Sequence, residues 1–507
     1  MTREPGAGLR RRQLLGVAGG TAVAGMVGAE PVLRASAVRA WDQQVDVIVA
    51  GSGAAGMCAA IEAAQAGARV LVLESLAEPG GSSVLSGGVV YAGGGTALQR
   101  ALKIEDSPEA MLRFLTRAGA PGPPRDKIEQ YCADSPEHFD WLVAQGIPYS
   151  QKLATAKGLP MGDESLYYSG TEQAWPAREL ATPAPRGHVP GVAGMNGGKV
   201  LWERLAARAG ELGVQVRTRT DARRLVLEND GRVSGMVVQR GENTVFLRAR
   251  RGVVLACGGF IHNRAMVERY APQLSRCPTP WAGAGDLGQG INMGIAAGAA
   301  SLRMHEGFAI APIYPPESAI AGILVNRAGQ RFVAEDSYHG VLGHHVAYLQ
   351  DGRAWLVTDS ASNYAGVQDN FPRVAEASSI GALADALAMP RGSLQQTVGY
   401  YNRYAGRGED PMFGKARDYL RPLQGPPYMA WEISVDRSFF PAHTFGGLAT
   451  TVDAEVLDSA DRVIPGLYAA GRNAAGIPTA PYLASGLCVG DATYFGRRAG
   501  RAAMRAG

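Results

Sequence analysis

The stretch VDVIVAGSGAAGMCAAIEAAQAGARVLVLE, residues 45–74, leaves a chain few ways to fold. Val45–Ala50 is a continuous apolar, β-branched run of the kind found in parallel sheets, where both faces of a strand are covered. Gly51, Ser52, Gly53, Ala54, Ala55 and Gly56 follow at once, and Ala, Met and Ile then recur at helical spacing. A second apolar run, Arg69–Leu73, ends at Glu74. Each part meets a physical need. Gly51 turns tightly, Gly53 lets backbone approach a pyrophosphate, Gly56 lets helix and strand close on each other, and the helix N-terminus attracts the anion. Glu74 stands where an acid accepts from ribose hydroxyls. Glycine spacing alone is weak evidence, but strand, turn, helix, strand and acid in one unit specify a dinucleotide.

The next loop discriminates between dinucleotides. EPGGSSVLSGG, residues 78–88, follows the acid closely. Backbone N–H groups and small hydroxyls at Ser75, Gly81, Ser82, Ser83, Ser86, Gly87 and Gly88 would run beside the phosphates and a flavin ring, which favours FAD over NAD. Further on, a buried strand Val253–Ala256 leads into Gly258-Gly259, and Asp286 lies in the glycine-rich run 283–294. Residues 466–471 form a last strand, ending at Gly471 with Arg472 behind it, and Ser485, Gly486 and Leu487 open a helix toward Asp491. Paired glycines after a strand mean close backbone approach to a ligand. A nicotinamide-dependent reductase would need a second GxGxxG unit after a strand, and none is apparent.

Composition bounds the rest. A chain of 507 residues with 46% apolar content and 67 glycines is too long for one core and divides into at least two folding units. The formal charge of +4 is spread over mixed signs, so no basic stripe points to nucleic acid. Cys58, Cys132, Cys257, Cys277 and Cys488 show no metal-ligand spacing and read as small apolar residues; no metal is expected. Arg10, Arg11 and Arg12 precede an apolar run too short and glycine-rich to span a bilayer, and Ala35-Ser36-Ala37 offers a small-x-small cleavage site. RRQLLG resembles a twin-arginine export signal, so residues 1–40 are set aside as a leader. The protein is then expected outside the cytoplasm, or within it where the leader does not function.

GSGAAG with Glu74, PGGSSVLSGG, VVLACGGF, GDLGQGINMG, HTFGGL and IPGLYAAG together resemble the flavoproteins related to fumarate reductase and the 3-ketosteroid dehydrogenases, from about residue 44 to the end. The resemblance implies an α/β architecture: a discontinuous, Rossmann-like FAD domain of the glutathione-reductase type at 44–300 and 443–507, with non-covalent FAD. An α+β capping domain at 301–442 is inserted between its parts. Fumarate reductases share His443-Thr444 but carry an arginine proton donor after an RFxNE-like motif. Arg331-Phe332-Val333-Ala334-Glu335 matches that motif, and no arginine stands where the donor belongs, so a dicarboxylate would be poorly charge-matched. EDSYHG, SGGVVYAGGGT, AAGRNAAGIP and SGLCVGDATYFGRRAGR instead look like the branch that desaturates the carbon 4–carbon 5 bond of 5α-3-ketosteroids.

That resemblance implies roles for Tyr338, Tyr482 and Ser485. Desaturation beside a ketone requires a donor on the ketone oxygen, a base at the alpha carbon and a hydride acceptor, the flavin N5 atom, at the beta carbon. Tyr338 is then the base, Tyr482 with a backbone N–H the ketone clamp, and Ser485 the relay. The family's tyrosine and serine are expected two apart, whereas Tyr482 and Ser485 are three apart, with Ala484 between. Plainer readings stand beside these: Tyr338 and Tyr482 as packing residues, and Ser485 as a helix cap. His443 either contacts substrate or orients the chain near the flavin. His344 and His345 read as structural. Within 301–442 a hairpin turn is expected at Asn326–Gly329 and a helix over Leu394–Ala405. A fumarate or other enoate reductase is the alternative enzyme, a redox-inert flavoprotein the non-enzymatic one. The sequence names no electron acceptor.

Overall fold

The computed structural model describes residues 31–119, 122–314, 316–361 and 370–505, so most of the expected leader lies outside the described residues. A nine-stranded sheet organises the chain. Its parallel part runs Val463–Ala469, the end of Asn243–Leu255, Gln43–Ala50, Val70–Leu73 and Gln215–Arg217. Beyond it, the first half of Asn243–Leu255 turns to antiparallel pairing with Val233–Arg240, which pairs with Asp221–Leu227. Leu33–Arg34, inside the segment set aside as leader, adds a short parallel strand against Val226–Leu227.

Burial explains why Gln43–Ala50 reads as unbroken apolar sequence. Val47 and Val49 join one core and Ile48 and Ala50 the other, because successive side chains leave a strand on opposite faces. The helix Ala54–Gln65 covers one face, and ten of its residues are buried, most of them alanine or glycine, which lets neighbouring elements close on it from nearly every side. The final helix, Leu487–Arg505, lies against it. A Cβ at Gly496 would fall 2.4 Å from Ala55 O and one at Gly500 2.3 Å from Ala59 O, so both positions must lack one.

The inserted region holds a four-stranded antiparallel sheet of Ile323–Val325, Trp355–Thr358, Tyr428–Glu432 and Arg373–Ala377. Helices Ile380–Ala386 and Ser393–Ala405 pack on it over a small core that includes Val357, Leu394 and Tyr401. The turn at Asn326–Gly329 forms as expected, with Asn326 Oδ1 accepting from Ala328 and Gln330 N–H. The opposite face of this sheet, through Leu324, Leu356 and Trp431, shares one continuous core with the large sheet. Apolar burial thus fastens the cap to the core of the large sheet.

Candidate active site

A cavity of about 2240 Å³ runs from the glycine turn to the cap. That exceeds the roughly 300–1,000 Å³ typical of a single small-molecule pocket, and it suits a dinucleotide with a second molecule beside it. Gly51 through Ala55, Glu74, Ser75, Gly81, Ser82, Ser83, Ser86, Gly87 and Gly88 line it, as do Ala256, Gly258, Asp286, Gly471, Arg472, Ser485 and Gly486. Gly56 and Leu487 do not. Gly56 lies behind the turn, where a Cβ would be 2.0 Å from Gly51 O, and Leu487 is buried in apolar contact.

The dinucleotide end is tied together by hydroxyls. Ser52 Oγ donates to Glu74 Oε2 at 2.6 Å and accepts from Gly80 N–H at 2.9 Å, while Ser83 Oγ accepts from Ala54 N–H at 2.9 Å. The 78–88 loop is thereby pinned to the first turn of the helix, with its hydroxyls beside the anion-attracting N-terminus. Glu74 Oε1 accepts from Leu76 N–H at 2.9 Å, and the carboxylate faces the cavity between these partners. Across the cavity Arg472 pairs with Asp286 and donates to Ser82 Oγ at 2.6 Å. A backbone cradle, small hydroxyls and one acid, with a paired arginine opposite, fit the two phosphates and ribose of FAD.

At the other end the lining becomes aromatic and apolar. Tyr482 is 5% exposed, with ring centroids of Phe308, Phe445 and Tyr338 at 4.9, 5.3 and 6.1 Å. Its Oη accepts the Cys488 backbone N–H at 2.9 Å, in the first turn of the last helix. Burial holds the phenol well above its usual pKa, so it keeps its proton. The oxygen accepts an N–H, which strengthens the phenol as a donor, and its proton, shared with the Cys488 thiol, can swing to a ligand in the cavity.

Tyr338 faces the same space from the cap. Burial raises its phenol as well, and hydrogen bonding from Ser485 works against the rise. Ser485 does not cap the helix. Its backbone pairs with Ser169, N–H to O at 2.8 Å, and its side chain lies between Tyr338 and Tyr167. His443 is buried, with Nε2 3.5 Å from Cys488 Sγ and its ring 4.9 Å from Phe308. Burial, then Arg472, holds it well below the ordinary imidazole pKa, so it is neutral. Cys257 and Cys488 line the cavity, whereas Cys58, Cys132 and Cys277 are buried elsewhere. His344 stacks on Tyr348 at 4.7 Å and His345 on Phe332 at 6.4 Å, away from the cavity lining.

Sequence reasoning missed Tyr167, Phe308, Tyr314 and the loop Leu153–Met161, all of which line the cavity. It also missed Lys157, whose Nζ donates to Asp336 O at 2.7 Å and lies over Tyr314 and Tyr419. No periodicity marks these residues, because they meet only through pairing of distant segments. Arg331, in the stretch compared with fumarate reductases, is turned away and buried against Glu335 and Asp410 at 2.7 and 3.0 Å.

Residues 46–486 match the family described as FAD binding domain. The chain belongs to that family. FAD is its cofactor, and its class is that of the FAD-dependent oxidoreductases. A crystal structure of 3-ketosteroid-Δ4-(5α)-dehydrogenase from Rhodococcus jostii RHA1, in complex with 4-androstene-3,17-dione, is 40% identical and superposes with a TM-score of 0.89. That match covers 94% of this chain and all of the other. The 3-oxo-5-alpha-steroid 4-dehydrogenase of Comamonas testosteroni is 32% identical over 85% of this chain and 93% of its own. A vinyl phenol reductase of Lactiplantibacillus plantarum is 30% identical over 91% and 96%.

Proposed function

We propose that this flavoprotein desaturates the carbon–carbon bond beside a ketone in a 3-ketosteroid, at the carbon 4–carbon 5 position. The observation that carries the reading is the Tyr482 phenol, protonated and held by Cys488 N–H, facing the same apolar space as Tyr338 and Ser485. The steroid-dehydrogenating relatives support the substrate class. FAD, when bound, supplies the acceptor for the hydride. Tyr482 donates to the ketone oxygen and so acidifies the neighbouring C–H. Tyr338 Oη takes that proton while passing its own to Ser485 Oγ, and Ser485 hands its hydroxyl proton on toward Tyr167 and solvent, so a phenol with a raised pKa need never carry a full charge at rest. Phe308 and Tyr314 exclude water and flank a flat apolar substrate. His443, neutral and beside Cys488, orients the loop and moves no proton.

A dicarboxylate fits poorly, because of the lining cations Arg472 is paired with Asp286, Lys157 is bound to the Asp336 carbonyl, and Arg437 is exposed next to Asp436. The deciding test is anaerobic. Bleaching of the 450 nm flavin band by a 5α-3-ketosteroid supports the reading. Reoxidation of dithionite-reduced protein by fumarate or a vinyl phenol, without bleaching by steroid, overturns it. The basic and apolar opening further supports export by the twin-arginine route, which fractionation of cells expressing Arg11→Lys/Arg12→Lys protein tests.

A further inference from the structure

The loop that delivers Tyr482 has no regular structure between the turn Gly471–Asn473 and the helix Leu487–Arg505, yet its backbone is held almost group by group. Lys127 Nζ donates to Ala475 O at 2.8 Å. Arg303 Nη1 donates to Pro478 O at 3.0 Å, and its Nη2 donates to Gly476 O. Asp491 Oδ1 accepts from Ile477 N–H at 2.7 Å, and Glu306 Oε2 from Ala480 N–H at 3.2 Å. The four side chains come from the helix Arg125–Ala144, the turn after Leu302 and the final helix.

A backbone group needs only a neutral partner to be satisfied, and charges cost far more to bury. Lys127 and Asp491 are each 4% exposed. Burial pulls Lys127 down to about 8 and pushes Asp491 up to about 6. Arg303 is itself strained: its φ of +51° is a left-handed conformation that non-glycine residues adopt at a cost. The turn is wedged against Gly446, where a Cβ would fall 2.3 Å from Met304 Cα, so the HTFGGL motif that carries His443 also seats the arginine. Strain and buried charge converging on one loop mark a place where geometry is over-determined. None of the four side chains lines the cavity, so whatever they do for catalysis passes through the loop.

We infer that Lys127, Arg303, Glu306 and Asp491 are positioning residues for the dehydrogenation, fixing the backbone of residues 475–480 so that the Tyr482 hydroxyl meets both Cys488 N–H and the ketone. The inference rests on the reading of Tyr482 as the ketone's donor. A misplacement of about 1 Å costs on the order of 10²-fold in rate, which sets the scale.

Two graded variants test it in the FAD-loaded protein. Arg303→Lys keeps a cation beside Glu306 but cannot fork to two carbonyls. The pair Arg303→Met/Glu306→Gln removes both charges together and strands neither. With a 5α-3-ketosteroid, kcat per bound flavin falls about 3–10-fold in the first and about 10–100-fold in the second, with KM within threefold and the 450 nm band unchanged. A purely structural role lowers the melting temperature and the yield of yellow protein while leaving kcat per flavin within twofold, and that result in either variant overturns the inference. Tyr482→Phe, measured alongside, separates the two layers. Undiminished turnover in Tyr482→Phe removes the premise, whereas its loss beside an unaffected pair variant removes only the positioning role. Within the Tyr482→Phe background the pair substitution costs less than threefold, since its target is gone; a full multiplicative loss there also overturns the inference.

Discussion

Replacing Tyr338 with Phe isolates one hydroxyl. The ring is 9% exposed and rests 6.1 Å from Tyr482 and 5.8 Å from His339 by centroid, contacts that phenylalanine keeps. The lost hydrogen bond to Ser485 is worth about 0.5–1.5 kcal/mol, and Tyr167 remains as a partner for the serine. Stability and flavin content therefore stay near the parent's. The chemistry does not: a positioned acid–base group contributes about 10²–10⁴-fold, or about 3–5 kcal/mol of barrier. Anaerobic stopped flow on the 450 nm band, with steroid in excess, measures the step directly. Flavin reduction within threefold of the parent would show that Tyr338 holds no proton in flight, and the proposed base would then have to be sought elsewhere in the cavity.

Other perturbations separate binding, protonation and stability. Gly258 has φ +82° and a Cβ there would lie 2.2 Å from Asp286 Oδ1, so Gly258→Ala costs about 2–6 kcal/mol in strain and overpacking; the expected outcome is FAD lost on gel filtration, and retention at the parent's stoichiometry would contradict it. Because burial raises the Tyr338 phenol, which relays its proton without ionising at rest, and keeps His443 neutral, kcat/KM stays level from about pH 7 to 10; a roughly tenfold rise per pH unit across that range would show that the phenol must ionise before it acts. Arg497, 2% exposed, binds Glu62 at 2.7 Å and Glu137 at 2.9 Å, so Arg497→Met destabilises the fold by about 3–5 kcal/mol in urea titration without changing kcat per bound flavin.

The cofactor half of this molecule was legible in its sequence because local physics writes it there. A buried parallel strand must be apolar at every position, as Gln43–Ala50 is, and a turn that admits a phosphate must shed its Cβ atoms. Ser52 and Ser83 could be nominated from spacing, though not the hydroxyl chain that joins them to Glu74 and the helix. Tyr482 and Ser485 were visible only through resemblance; the donor geometry at Tyr482 depends on Cys488, whose N–H is freed by the start of a helix. Tyr167 was invisible. It reaches Ser485 because Ser169 pairs with Ser485 across more than three hundred residues of chain, and a two-residue strand leaves no periodic trace. The clamp around residues 475–480 was equally silent, since a lone Lys, Arg, Glu or Asp in a sequence looks like solvated surface.

The seam between Ala54–Gln65 and Leu487–Arg505 bears on how the protein is made. The first helix leaves the ribosome long before its partner, since residues 66–486 must emerge in between. At about 5–20 residues per second that interval is on the order of 20–80 s. Throughout it the alanine-rich flank that will receive Gly496 and Gly500 has no native cover. Gly471, Arg472, Ser485 and Gly486, which complete the lining for FAD, emerge at the same late point, so cofactor capture follows synthesis of this last segment.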